Sequence, residues 1–210
     1  MDGTRRKCMK GLLIKDCLLL KNIRKVFLFM ILLACFCSLA MQDKNFIGGY
    51  LMVFFGTVCL SSISYDEMDQ GNLTIFSFPI ERKTYVQEKY VYGLLLLLSA
   101  LLLSTLFLLP WFSWKSIASN MIMFGIGLLF LAVSLPFQLK YGHEKGRLVM
   151  LLVLMILAGG LVVIDMNGSL KQWLETSSLV LDALIYFGFV VFAYIISLRI
   201  SISIMEKKEF

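Results

Sequence analysis

Apolar residues fall into six blocks separated by polar connections, at residues 26–41, 46–64, 91–112, 117–139, 148–164 and 179–198. None alternates with a period of two, and 94–98 is an unbroken run of leucine. A membrane strand with one wet face would alternate, whereas a helix satisfies its own backbone and tolerates apolar residues all round. The pattern therefore predicts an all-α chain with six transmembrane helices. Crossing the hydrocarbon takes about 20 residues. Five blocks are long enough, and 26–41 reaches across only if the helix before it feeds directly into it.

Three connections have a pattern of their own. Residues 9–25 read as a helix with Met9, Leu12, Leu13, Leu19, Leu20 and Ile23 toward one face and Lys10, Lys15, Lys21 and Lys25 toward the other. Asp16 and Arg24 interrupt the apolar stripe, and Ile14 and Leu18 the polar one. This predicts an N-terminal interfacial amphipathic helix with its lysines toward anionic lipid. Residues 65–90 are too long for a simple turn between neighbouring helices, usually about 2–8 residues. They open on Asp66, Glu67 and Asp69, run through an apolar stretch at 73–78, and meet Pro79, where a new helix can start. An apolar stretch flanked by charge in such a loop is the pattern of a partner-binding segment. Residues 165–177 carry a short amphipathic stretch around Trp173.

Composition agrees with lipid as the solvent. The 210 residues are 59% hydrophobic and only 16% charged, with a mean hydropathy of +0.83; soluble domains are about one quarter charged. The net charge of +6 would suit nucleic acid if it formed a basic face. Instead, seventeen of the twenty lysines and arginines lie on one side of the predicted spans, leaving Lys44, Lys115 and Lys171 on the other. By the positive-inside rule both termini are cytoplasmic, and Trp111, Trp114 and Trp173 fall at the outer boundary. The division is 1–25 as a basic cytoplasmic segment and 26–210 as one membrane domain. The first block follows a long basic segment without a small-residue cleavage pattern, so no removable leader is expected. Five cysteines, an odd number concentrated in the first third, do not form a disulfide framework, and Cys35 and Cys37 point in different directions on a helix, so no metal site is expected.

Candidate chemistry is sparse. Asp182 lies inside the sixth span, where an ionisable group costs roughly 2.5–3.5 kcal/mol on insertion scales. It faces other helices or a water-filled path, or it is hydrated near the outer boundary. Asn120 in the fourth span reads first as an interhelical hydrogen bond and second as a path residue. Gly125, Gly127, Gly159, Gly160 and Gly188 are expected at close helix packing. His143 is the single histidine, and there is neither Gly-x-Ser-x-Gly nor the Gly-x-Gly-Asp of intramembrane aspartyl proteases. No Gly-x-x-x-x-Gly-Lys-Ser/Thr occurs to cradle phosphates, so ATP, if used, is bound by another polypeptide and this chain is not expected to be an enzyme or to bind a cofactor.

The second connection resembles that of ABC-2-type permeases, the membrane subunits of bacterial ABC exporters whose ATPase is a separate chain. The resemblance rests on Glu67 closing the second span, the 73–78 stretch, the turn Pro79-Ile80-Glu81-Arg82, and Tyr85-Val86 followed by Lys89-Tyr90 leading into the third span. Leu13-Ile14-Lys15-Asp16 before a leucine run is similar to that family's connecting helix. The resemblance implies a multi-pass protein of the bacterial cytoplasmic membrane. It implies a coupling helix at 73–78 that seats in a cytoplasmic ATPase through Glu67, Leu73, Phe76, Phe78, Pro79 and Arg82. It further implies two ATPase subunits, a second permease (this chain or a paralogue), and a path in which Asp182 and Asn120 are candidates. Spans nearly free of charge suit an apolar or amphipathic cargo such as a peptide, lipid or drug. The alternatives are a non-transporting scaffold that recruits a cytoplasmic partner, and an intramembrane lipid- or peptide-processing enzyme.

Overall fold

A computed structural model describes residues 2–40, 46–67, 81–111, 114–166 and 179–207; apart from Ile23 and Glu81 these are helical, with no strand among them. The helices are α1 (Asp2–Asn22), α2 (Arg24–Ala40), α3 (Phe46–Glu67), α4 (Arg82–Leu108, extended by a 3₁₀ turn Leu109–Trp111), α5 (Trp114–Met166) and α6 (Leu179–Lys207). α3, α5 and α6 pack around α4, and α2 lies against α3.

Among the described residues, four segments are long and apolar enough to cross a membrane: Phe46–Glu67, Arg82–Leu108, Ser116–Gly142 and Ile185–Lys207. The N-terminal block contributes a fifth only if α1 and α2 count as one span, and they meet at Ile23 with a bend of 68°. The reason is length. α2 has 17 residues, about 25 Å at 1.5 Å per residue, short of the ~30 Å hydrocarbon thickness.

The fourth and fifth apolar blocks share α5, which breaks at Gly142, where φ is 75° and ψ is −174°. That backbone conformation strains any residue with a Cβ. The chain reverses there: a Cβ on Gly146 would lie 3.1 Å from the Cα of Gln138, residues that a continuous helix would hold about 12 Å apart. Two helical arms therefore pair as a hairpin, with the turn in the expected fourth connection. The arm after the turn leaves Leu148, Leu152, Met155 and Ile156 exposed.

The core lies between α3, α4 and α5, where Leu51, Met52, Phe55, Leu60, Leu97, Phe130 and Leu131 are almost fully buried. Gly127 is a point of close approach, since a Cβ there would meet Leu97 Cδ2 at 3.2 Å and Met52 Cβ at 3.3 Å. Gly125 lies under the Tyr186 ring. Gly188 departs from expectation: nothing lies within 4 Å of a Cβ placed on it, because α6 turns that face outward.

Candidate functional site: a buried ionic cluster at the loop end

The two roots of the 65–90 connection come together. α3 carries Asp66 and Glu67 at its last turn, and α4 restarts after Glu81, whose extended backbone (φ −65°, ψ 134°) precedes the first helical turn at Arg82. Lys89 lies seven residues, about 10 Å, into α4, with no exposed side-chain surface. Its ammonium donates to Asp16 Oδ2 at 2.6 Å and Ser62 Oγ at 2.6 Å, and lies 2.9 Å from Asp66 Oδ2. Asp66 also accepts from Lys15 Nζ at 2.5 Å and from the Tyr85 hydroxyl at 3.0 Å. Three helices far apart in sequence, α1, α3 and α4, are thus joined through one lysine.

Isolated buried charge is prohibitively costly, so the arrangement depends on mutual neutralisation. Three acidic side chains (Asp16, Asp66 and Glu88) surround two ammoniums (Lys15 and Lys89), and Lys15 is one-third exposed. Glu88 is fully buried 3.8 Å from the Lys89 nitrogen, and neither of its carboxylate oxygens is hydrogen-bonded within the described residues. The cation at the centre of the acids is the Lys89 side chain itself.

A second set of contacts fixes α4 to α6. Tyr90 shares hydrogen bonds with Ser197 at 2.6 Å and Ser201 at 2.7 Å, and Tyr194 donates to the Tyr90 carbonyl at 2.8 Å. Arg82 Nη1 donates to the carbonyls of Met205 at 3.3 Å and Glu206 at 3.2 Å, capping the end of α6, where a cation also complements the helix dipole. Glu67 reaches the α5 turn, its Oε2 lying 3.3 Å from where a Cβ on Gly142 would be. The ends of α3 and α6, the start of α4, the α5 turn and α1 therefore share one end of the bundle.

Of the expected site residues, the structure brings Glu67 and Arg82 to this end. Leu73, Phe76, Phe78 and Pro79 lie outside the described residues. Asn120 is at the opposite end, buried, donating to Ser104 Oγ at 2.8 Å and packed against Gly48. Asp182 lies on α6, with its side chain outside the described set.

The sequence pattern does not single out Asp16, Ser62 or Glu88 as site residues, and it places Lys89 in a positive loop. One signal is present: an aspartate interrupting the apolar stripe of an amphipathic helix needs a buried cation. Asp16 and Leu12, one turn apart, are the most deeply buried of the described side chains of α1. The helix thus docks on protein through the stripe that Asp16 interrupts.

A protein-family model described as "ABC-2 family transporter protein" matches residues 11–206. No match was found among curated proteins or among solved structures.

Proposed function

Since the chain belongs to the ABC-2 transporter family, a family of multi-pass membrane permeases, we propose that it forms the membrane half of an exporter driven by separate ATPase subunits. In this reading it crosses the bacterial cytoplasmic membrane six times with both termini inside. It pairs with a second permease around a path for an apolar or amphipathic cargo, and it receives force through 73–78.

The observation that carries the reading is the clamp across the loop roots. A loop transmits a push only if its ends are stiffly joined to what must move. Asp66 before the loop is tied to Tyr85 and Lys89 after it, and Lys89 is tied in turn to α1. Arg82 connects the same root to the end of α6. A displacement of 73–78 would therefore move α1, α3, α4 and α6 together. Phe76 and Phe78 supply apolar anchors for a partner groove, where a few buried aromatic residues carry most of the binding energy.

The test is copurification of the tagged, detergent-solubilised chain from its native host, with the wild type compared against Phe78→Asp. An ATPase recovered with the wild type and depleted about tenfold or more in the variant supports the assignment, as expected when a buried anchor worth ~2 kcal/mol or more is lost. If neither version recovers an ATPase while both remain folded, the exporter reading fails.

A further inference from the structure

The face of α1 opposite its docked side is unexplained by the clamp. At 100° per residue, positions 14 and 18 lie about 200° from 12 and 16. With Leu12 and Asp16 buried, Ile14 and Leu18 are driven outward, 60% and 58% exposed. They line a groove of about 870 Å³ at the bend between α1 and α2, together with Gly11, Lys21, Arg24 and Lys25. None of the described residues that line it is acidic. Unlike Lys15, which is committed to Asp66, the three cations at the bend have no ion-pair partner among the described residues.

We propose that this groove seats one anionic glycerophospholipid, its phosphate against Lys21, Arg24 and Lys25 and its acyl chain along Ile14 and Leu18. Two observations select a lipid over a soluble anion or an acidic peptide. The basic rim is joined to exposed leucine and isoleucine, which a hydrated anion would leave wet. The groove also reaches the start of α2 at Arg24 and Lys25, and beyond them Val26, Leu28, Phe29 and Leu32 are exposed at 56–66%. A molecule with one anionic end and one apolar end matches both parts. The seat would hold α1 at its bend from the outside while the ionic cluster holds it from the inside, whatever the cargo.

Native mass spectrometry of the full chain in a neutral detergent, titrated with dioleoyl phosphatidylglycerol or dioleoyl phosphatidylcholine, tests this. The wild type should retain phosphatidylglycerol preferentially. Lys21→Gln/Arg24→Gln/Lys25→Gln should reduce that affinity on the order of a hundredfold, from about fivefold per cation. The same number of charges removed at Lys140, Lys145 and Arg147 should leave it unchanged. Gly11→Leu separates a local seat from diffuse attraction: a Cβ there meets nothing within 4 Å, so the leucine fills the groove without strain or change of charge. It should lower binding at least tenfold while circular dichroism shows unchanged helicity. Equal retention of both lipids overturns the proposal, as does full binding by Gly11→Leu or by the triple variant. Displacement of the lipid by equimolar inorganic phosphate would mark an anion site and overturn it as well.

Discussion

The two ends of the α3–α4 pair are held by opposite chemistries. At the loop end, Lys89, Asp16 and Asp66 form a desolvated ionic knot. At the far end, Asn120 and Ser104 join α5 to α4 by neutral hydrogen bonds, with Gly48 of α3 allowing the asparagine close. Both sets are buried, and both join helices across the bundle. They differ in the cost of losing one member. A neutral donor and acceptor in a membrane protein contribute on average about 0.6 kcal/mol, because the separated helices find other partners. A buried charge has no such alternative, so removing its counter-charge costs about 3–5 kcal/mol. The loop end is therefore stiff and vulnerable, and the far end tolerant. That asymmetry suits the coupling proposed above, in which the molecule is pushed from one end.

The largest expected effect is from Lys89→Met. Methionine keeps the stem's volume but leaves Asp16, Asp66 and Glu88 with only the part-exposed Lys15 for charge compensation. Unfolding by SDS titration should show a loss of about 3–5 kcal/mol. Loosening should be concentrated in α1, read as faster hydrogen exchange over residues 9–22. A loss below ~1 kcal/mol would mean that the knot is hydrated and the contrast between the two ends is false.

How far this contrast was legible in the sequence differs by element. The apolar blocks announced the helices, since lipid requires uninterrupted hydrophobicity; α3 follows its block closely, whereas α4 starts nine residues before its block and α6 runs nine residues past its own. The resemblance carried by residues 65–90 and 9–25 led to the family that the match over 11–206 shows. The pairing of Lys89 with Asp16 was not legible, because the residues are 73 apart and nothing local distinguishes a buried lysine from a snorkelling one. Nor was the bend at Ile23, which depends on α1 docking sideways onto α4. The Gly142 turn was half visible: a polar interruption at 140–147 was plain, whereas the single left-handed residue that makes it was not.

A smaller loss is expected from Asp16→Asn, although it weakens the same 2.6 Å contact. Asparagine keeps an oxygen that can accept from the ammonium, and Lys89 still holds the charged Asp66, 2.9 Å away, so no buried charge is left without a counter-charge. About 1–2 kcal/mol should be lost, the range for a weakened buried hydrogen bond, by the same SDS titration. The ordering, Lys89→Met well above Asp16→Asn, is the sharper measurement, since it depends on whether a buried charge loses its counter-charge rather than on packing. Equal losses would show that α1 is held by shape alone.

The smallest effect should come from the far end. Ser104→Ala removes the hydroxyl that Asn120 Nδ2 reaches at 2.8 Å and that in turn reaches the Leu101 carbonyl at 3.0 Å. The alanine methyl fills almost the same space, so no cavity opens. The Asn120 amide stays confined beside Gly48, where a Cβ would collide with its Oδ1. SDS titration should register a loss of about 0.6 kcal/mol and no more than ~1.7, and hydrogen exchange in α1 should not change. A loss comparable to that of Lys89→Met would place a second rigid joint at the far end. The bundle would then be clamped at both ends, and a push at 73–78 would bend α3 and α4 between two fixed points instead of tilting them about a yielding one.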